Sequence, residues 1–173
     1  MKQRLFDAVD RLLDRLTAMS DDIFDHPEPG CEEVYASGLL TGLLEENGFA
    51  VERGVGELPT AFRAVYENGA GGPSIGLLCE YDALEGIGHA CGHHMQGPCL
   101  VGAALALKEV CGDLPYRLVV YGTPAEETIG GKIQMKEKGC FQDIDVLLSL
   151  FLCLHGCILT GNYRNGKFTR PKK

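Results

Sequence analysis

Long hydrophobic runs, an excess of basic residues and closely paired cysteines are all missing from this sequence of 173 residues. The longest apolar stretch, Val146 to Thr160, is interrupted by Ser149, His155 and Gly156 and is short for a bilayer crossing. The opening MKQRLFDAVDRLLDRLTAM sets charges between apolar residues at helical spacing, which is not a signal-peptide pattern. No membrane association is expected. A formal net charge of −8 argues against nucleic acid and anionic lipid as partners, since both select basic surfaces. None of the eight cysteines forms a CxxC pair, so a zinc ribbon or thioredoxin-type site lacks its signature. Free thiols in a reducing, cytoplasmic setting are the expectation.

What is present is an ordinary globular mixture, 45% hydrophobic and 23% charged, in a length that suits one domain or most of one. Leu5, Val9, Leu12, Leu13 and Leu16 predict the inner face of a first helix ending before Pro27. A second helix runs through Leu39, Leu40, Leu43 and Leu44 and stops at Asn47-Gly48. FAVER, TAFRAVYE and SIGLLCEY read as strands, with ENGAGGP as a hairpin connection between the last two. An Ala-rich helix over about 97–110 should be buried around most of its circumference. YRLVVYGTP reads as a central strand, GGKIQMKEKG as a helix and DIDVLLSL as a further buried strand. This alternation predicts an α/β domain with a largely parallel sheet.

Two dense motifs follow predicted strands. EYDALEGIGHACGHHMQG, residues 80–97, holds Cys91 and three of the five histidines, and TPAEETIGG holds Glu126 and Glu127. In parallel α/β sheets ligands bind at the carboxyl ends of strands, so the two motifs can face one crevice. Thiolate, imidazole and carboxylate are ligands for zinc and its transition-series neighbours. Cys91 and His93, two apart in a turn, can point to one side. Adjacent glutamates outside a helix point different ways, so one can hold metal while the other takes a proton from water. Either motif alone is ordinary, because most His-x-His and Glu-Glu pairs are surface or filling residues. Their joint placement is what points to metal-assisted hydrolysis. Asp82 reads as a turn residue or as a carboxylate orienting a metal-bound histidine. His89 and His94 read as hydrogen-bonding groups, and His26 as a turn residue.

Four motifs in order, HPEPGCEE, YDALEGIGHACGHHMQG, GTPAEETIGGKIQMKEKG and DIDVLLSL, resemble the aminoacylase and carboxypeptidase-G family of metal-dependent amidohydrolases. The branch holding aminobenzoyl-glutamate hydrolase and related dipeptidases is the most similar. The resemblance implies a three-layer helix-sheet-helix catalytic domain of zinc-peptidase-like fold. It implies two divalent ions, zinc or manganese with cobalt as a further option. It makes Cys91, His93 and Glu127 metal ligands, Glu126 the general base and Asp82 the residue that orients a ligand. It also implies cleavage of an amide in an N-acyl amino acid, aminobenzoyl-glutamate or a dipeptide, and homodimerisation through an inserted lid domain.

The sequence departs from that family at two places. His94 stands where Asp or Asn is usual, and Phe151 stands where a metal histidine would follow DIDVLLSL; the nearest histidine is His155. Beyond residue 150 the resemblance stops. Residues 1–150 hold 11 Lys/Arg and all 24 Asp/Glu, whereas residues 151–173 hold five basic residues and no acid. The chain therefore reads as the N-terminal part of the catalytic domain (1–150), with an atypical basic tail (151–173), truncated and without the lid. Two alternatives stand beside a metallohydrolase. One is a cysteine hydrolase using Cys91 with a histidine base, disfavoured because residues two apart in a turn seldom reach each other. The other is an inactive metal-binding or oligomerising remnant.

Overall fold

The leucine and alanine spacing of the first 25 residues folds into α1 (Lys2–Asp25), which buries Ala8, Leu16 and Ile23. Leu5, Val9 and Leu12 pack beside them, but Leu13 is 53% exposed, so the apolar stripe is narrower than the sequence predicts. The helix ends where Pro27 disfavours helical backbone in the residue before it. Next comes α2 (Val34–Glu46), closed by Asn47 and by Gly48 at φ +79°, the left-handed region that glycine adopts most readily. The computed structural model describes residues 1–152, 158–164 and 167–169.

The remaining elements are β1 (Ala50–Arg53), β2 (Phe62–Asn68), β3 (Ser74–Cys79), α3 (His93–Val110), β4 (Tyr116–Gly122), α4 (Gly131–Glu137), β5 (Val146–Leu152), β6 (Ile158–Arg164) and β7 (Lys167–Thr169). They form one sheet in the order β1-β2-β4-β3-β5-β6-β7. Two expectations are corrected here. β2 and β3 do not form a hairpin, because β4 lies between them, antiparallel to β2 and parallel to β3. The sheet is mixed, not largely parallel: only β3–β4 and β3–β5 run parallel among the described pairs. The parallel trio β4-β3-β5 is nevertheless the part that carries the motifs.

Alternation along the strands builds three layers. Phe62, Ala64, Leu77, Cys79, Leu118 and Val120 face α1, α2 and α3. Leu78, Val119 and Tyr121 point the other way, toward Met135 of α4 and the turn holding Val55 and Leu58. α3 buries 11 of its residues, as an apolar helix wedged between α1 and the sheet should. β5 is half-buried from Val146 to Leu150, not fully buried as predicted, although it lies directly beside the central strand β3. The sheet runs on through residues where the sequence has no legible periodicity, with β6 antiparallel to β5 and β7 antiparallel to β6. His155 lies outside the described residues.

Candidate metal centre

β3 and β4 end side by side, so the segments leaving them emerge at one edge of the sheet. Thr123 ties the two exits, its N–H and its hydroxyl both donating to the Cys79 carbonyl at 2.7 and 2.9 Å. From β3 the chain passes Glu80, Tyr81 and Asp82 to the histidine turn. Gly92 at φ +87° lets that turn run directly into α3, placing Cys91 just before and His93 just after it. From β4 it passes Ala125, a non-glycine residue at φ +58°, to Glu126 and Glu127. The buried Glu33 carboxylate holds that bend by accepting from the Ala125 N–H at 2.7 Å and from the Thr60 hydroxyl at 2.7 Å.

One fully buried carboxylate joins the two turns. Asp82 accepts from His93 Nδ1 at 2.7 Å through Oδ1 and from the Glu127 backbone N–H at 2.9 Å through Oδ2. His93 Nε2 is thereby aimed at Glu80 Oε2 at 3.1 Å and Glu127 Oε1 at 3.6 Å. One donor atom each from Cys91, His93 and Glu127 lie within 4.8 Å of one another. This sulfur, nitrogen and oxygen set suits zinc and related divalent ions, and a histidine whose other nitrogen meets a carboxylate is the usual arrangement for a metal ligand. The residues present fit a divalent cation.

The sequence reading missed the polar support beneath this group. Glu80, 2% exposed, pairs with Lys132 Nζ and accepts from Gln96 Nε2 at 2.6 Å, while Gln96 returns its oxygen to the Glu80 N–H. Lys132 also reaches Glu126 Oε1 at 3.1 Å. Burial alone would raise the Glu80 carboxyl, but hydrogen bonding from His93 and the Lys132 charge outweigh it and hold its pKa at about 2. Burial likewise opposes charge on His93, yet the hydrogen bond to Asp82, followed by Cys91 and Glu80, pushes its pKa up to about 12. The surroundings therefore favour positive charge at this point. Cys91 Sγ and a His93 ring nitrogen lie within 4.8 Å, so the two side chains share one side of the turn, while the thiol itself is directed to the Asp82 carbonyl at 3.6 Å. His89 and His94 lie to one side, 5.4 Å apart between ring centres and packed near Phe24 of α1. Burial, then the neighbouring His94, hold His89 down at a pKa of about 4. His26 stays away from the group, its Nδ1 hydrogen-bonded to the Asp22 carbonyl.

No protein-family model matches the chain. It is 41% identical over 160 residues to the Xaa-Arg dipeptidase of Mus musculus, covering 85% of this chain and 37% of that protein. It is 38% identical over 162 residues to one of the subunits of p-aminobenzoyl-glutamate hydrolase from Escherichia coli, covering 83% of this chain and 33% of that protein. Solved structures share the fold. A dinuclear metal-binding peptidase of the M20 family from Bacillus subtilis superposes with a TM-score of 0.75 at 24% identity, over 83% of this chain and 44% of that one. An aminobenzoyl-glutamate utilization protein from Klebsiella pneumoniae gives 0.72 at 20% identity, over 87% and 46%. The chain spans about a third of the length of these curated relatives. It is homologous to part of the Xaa-Arg dipeptidase and of the aminobenzoyl-glutamate hydrolase subunit, and it shares the fold of a peptidase of the M20 family.

Proposed function

We propose that this protein hydrolyses an amide bond in an N-acyl amino acid, aminobenzoyl-glutamate or a dipeptide, using divalent metal held by Cys91, His93 and Glu127. The observation that carries this reading is the convergence of a thiol, an imidazole and a carboxylate within 4.8 Å, across two turns joined by Asp82. When bound, divalent ions lower the pKa of nearby water to about 7 and stabilise negative charge developing on a carbonyl.

The chain's own residues supply the rest. Glu126 is about a third exposed at the mouth of the group and takes a proton from the attacking water, then gives it to the departing amine. Lys132 steadies that carboxylate against Glu80. Asp82 holds the His93 ring with Nδ1 inward, so that Nε2 is the nitrogen offered to metal. Two ions are proposed, zinc or manganese, by likeness to the dinuclear relative. Residues 1–150 are taken as part of the catalytic domain and 151–173 as an atypical extension. A cytoplasmic location, and homodimerisation of the full-length family through a lid domain as the resemblance implies, complete the reading. No helix among the described residues is long and apolar enough to cross a membrane.

A second reading is favoured by Phe151, which stands where the resemblance would put a metal histidine, and by the fraction of the relatives' length that the chain spans. It holds that the chain binds metal without turning over substrate. Metal analysis of the purified chain, of Cys91→Ser and of Glu127→Gln, beside hydrolysis of a dipeptide with and without chelator, separates the cases. The hydrolase reading expects stoichiometric metal lost in both variants and chelator-sensitive cleavage. Metal without cleavage selects the second reading. Equal metal in all three chains refutes the shared site, and chelator-resistant cleavage that alkylation of Cys91 abolishes points to the cysteine hydrolase.

A further inference from the structure

We propose that His89 and His94 form a second, separate cation site, a bis-imidazole pocket for zinc or another late first-row divalent ion. It does not depend on the reading of Cys91, His93 and Glu127 given above.

His89 is 3% exposed, yet neither of its ring nitrogens makes a hydrogen bond, and the buried Nδ1 of His94 has none either. Buried polar atoms in folded proteins are nearly always partnered, so unpartnered ones in two facing imidazoles call for a ligand. The ring centres are 5.4 Å apart with planes inclined at 58°. A tetrahedral ion about 2.0–2.1 Å from one nitrogen of each ring would set their centres roughly 5 Å apart, which this separation meets. The Ile23 backbone lies beside His89 but outside hydrogen-bond geometry, where it can take the second nitrogen of a ligating imidazole.

The pocket belongs to a different side of α3 from the first group. Successive helical residues point about 100° apart. His93 turns to Asp82, while His94 packs edge-on to Phe24 of α1 with ring centres 5.0 Å apart. Phe24 walls the pair on one side, and the Asp21 carboxylate of the same helix acts electrostatically on His94 and can offset a cation's charge. Imidazole nitrogens select zinc, nickel, copper or cobalt over magnesium and calcium. Without His94 the pair cannot form, so this pocket is tied to the departure noted at that position.

The test is a zinc titration of the ¹⁵N-labelled full chain, followed by long-range ¹H–¹⁵N spectra of the imidazole rings. The expected result is a joint, saturable shift of His89 and His94 nitrogens, with His93 moving independently. His94→Asn, checked for folding by far-UV circular dichroism, should abolish the His89 response, with apparent affinity down roughly 10–100-fold or more. Magnesium should move neither ring. Ring nitrogens of His89 and His94 that stay fixed while zinc saturates His93 would overturn the proposal. So would an unchanged His89 response in His94→Asn. Silence of His93 with the pair responding would instead count against the metal group proposed above.

Discussion

The two ends of the histidine turn contrast sharply in how they are held. At the Cys91–His93 end each polar atom meets a partner: Asp82 bridges His93 to Glu127, and Glu80 binds Gln96 and Lys132. At the His89–His94 end His89 is buried and His94 half-buried, both packed near Phe24, and three of their ring nitrogens are buried without a hydrogen bond. The first end is preorganised, with geometry fixed before any ion arrives. The second is positioned by packing alone and has bonding capacity left over. Buried networks of the first kind depend on every member, whereas a packed pair tolerates the loss of one side chain more easily.

The largest way to break this contrast is Asp82→Ala. It strands His93 Nδ1 and the Glu127 N–H in a buried place, and should cost about 3–5 kcal/mol by denaturant midpoint. Metal affinity at Cys91, His93 and Glu127 should fall roughly 10–100-fold as well. Leu40→Ala sharpens the comparison from the packing side. Leu40 is fully buried against α3 near Gly97, so its loss should cost about 2–5 kcal/mol while leaving metal stoichiometry unchanged. Gly92→Ala acts on the joint between the two ends. At φ +87° a β-carbon is strained, and a loss of about 1–2 kcal/mol is expected in thermal or denaturant unfolding.

The smallest expected effect is electrostatic and concerns Glu33, the clamp on the Ala125 bend. Burial holds its carboxyl above the ordinary 4.5, despite hydrogen bonds from Thr60 and Ala125 that pull the other way. The fold therefore favours the protonated form. Its contribution is fully present below the ordinary value and is lost as pH rises through the raised one. Glu33→Gln should flatten that part of the stability profile, seen as a smaller change in denaturant midpoint between about pH 4 and about pH 7.

The candidate ligands are legible in the sequence because they are chemically dense: Cys91, His93 and the Glu126-Glu127 pair stand in short segments just after apolar strands. Their supports are not. Glu80 looks like a residue ending a strand, and Lys132 lies 52 positions away on α4. Glu33 and Ala125 are 92 positions apart, and nothing local to either sequence announces the bond. The same limit applies to the fold. The two inward faces of β2, β3 and β4 follow from periodicity, because a side chain's face is a local property, but α3 starts at His93, four residues before the predicted start, so His93 and His94 stand in its first turn. Strand order does not, since ENGAGGP says nothing about β4 entering between the strands it connects. β6 cannot be read because its pairing with β5 is a property of the register, not of its own pattern.

The most direct test of the shared centre is X-ray absorption at the zinc edge of the chain loaded with one equivalent of zinc. Sulfur scattering at about 2.3 Å together with nitrogen and oxygen at about 2.0–2.2 Å is expected, the sulfur vanishing in Cys91→Ser. A shell of nitrogen and oxygen alone in the unaltered chain, or one unaffected by Cys91→Ser and Glu127→Gln, would contradict the account.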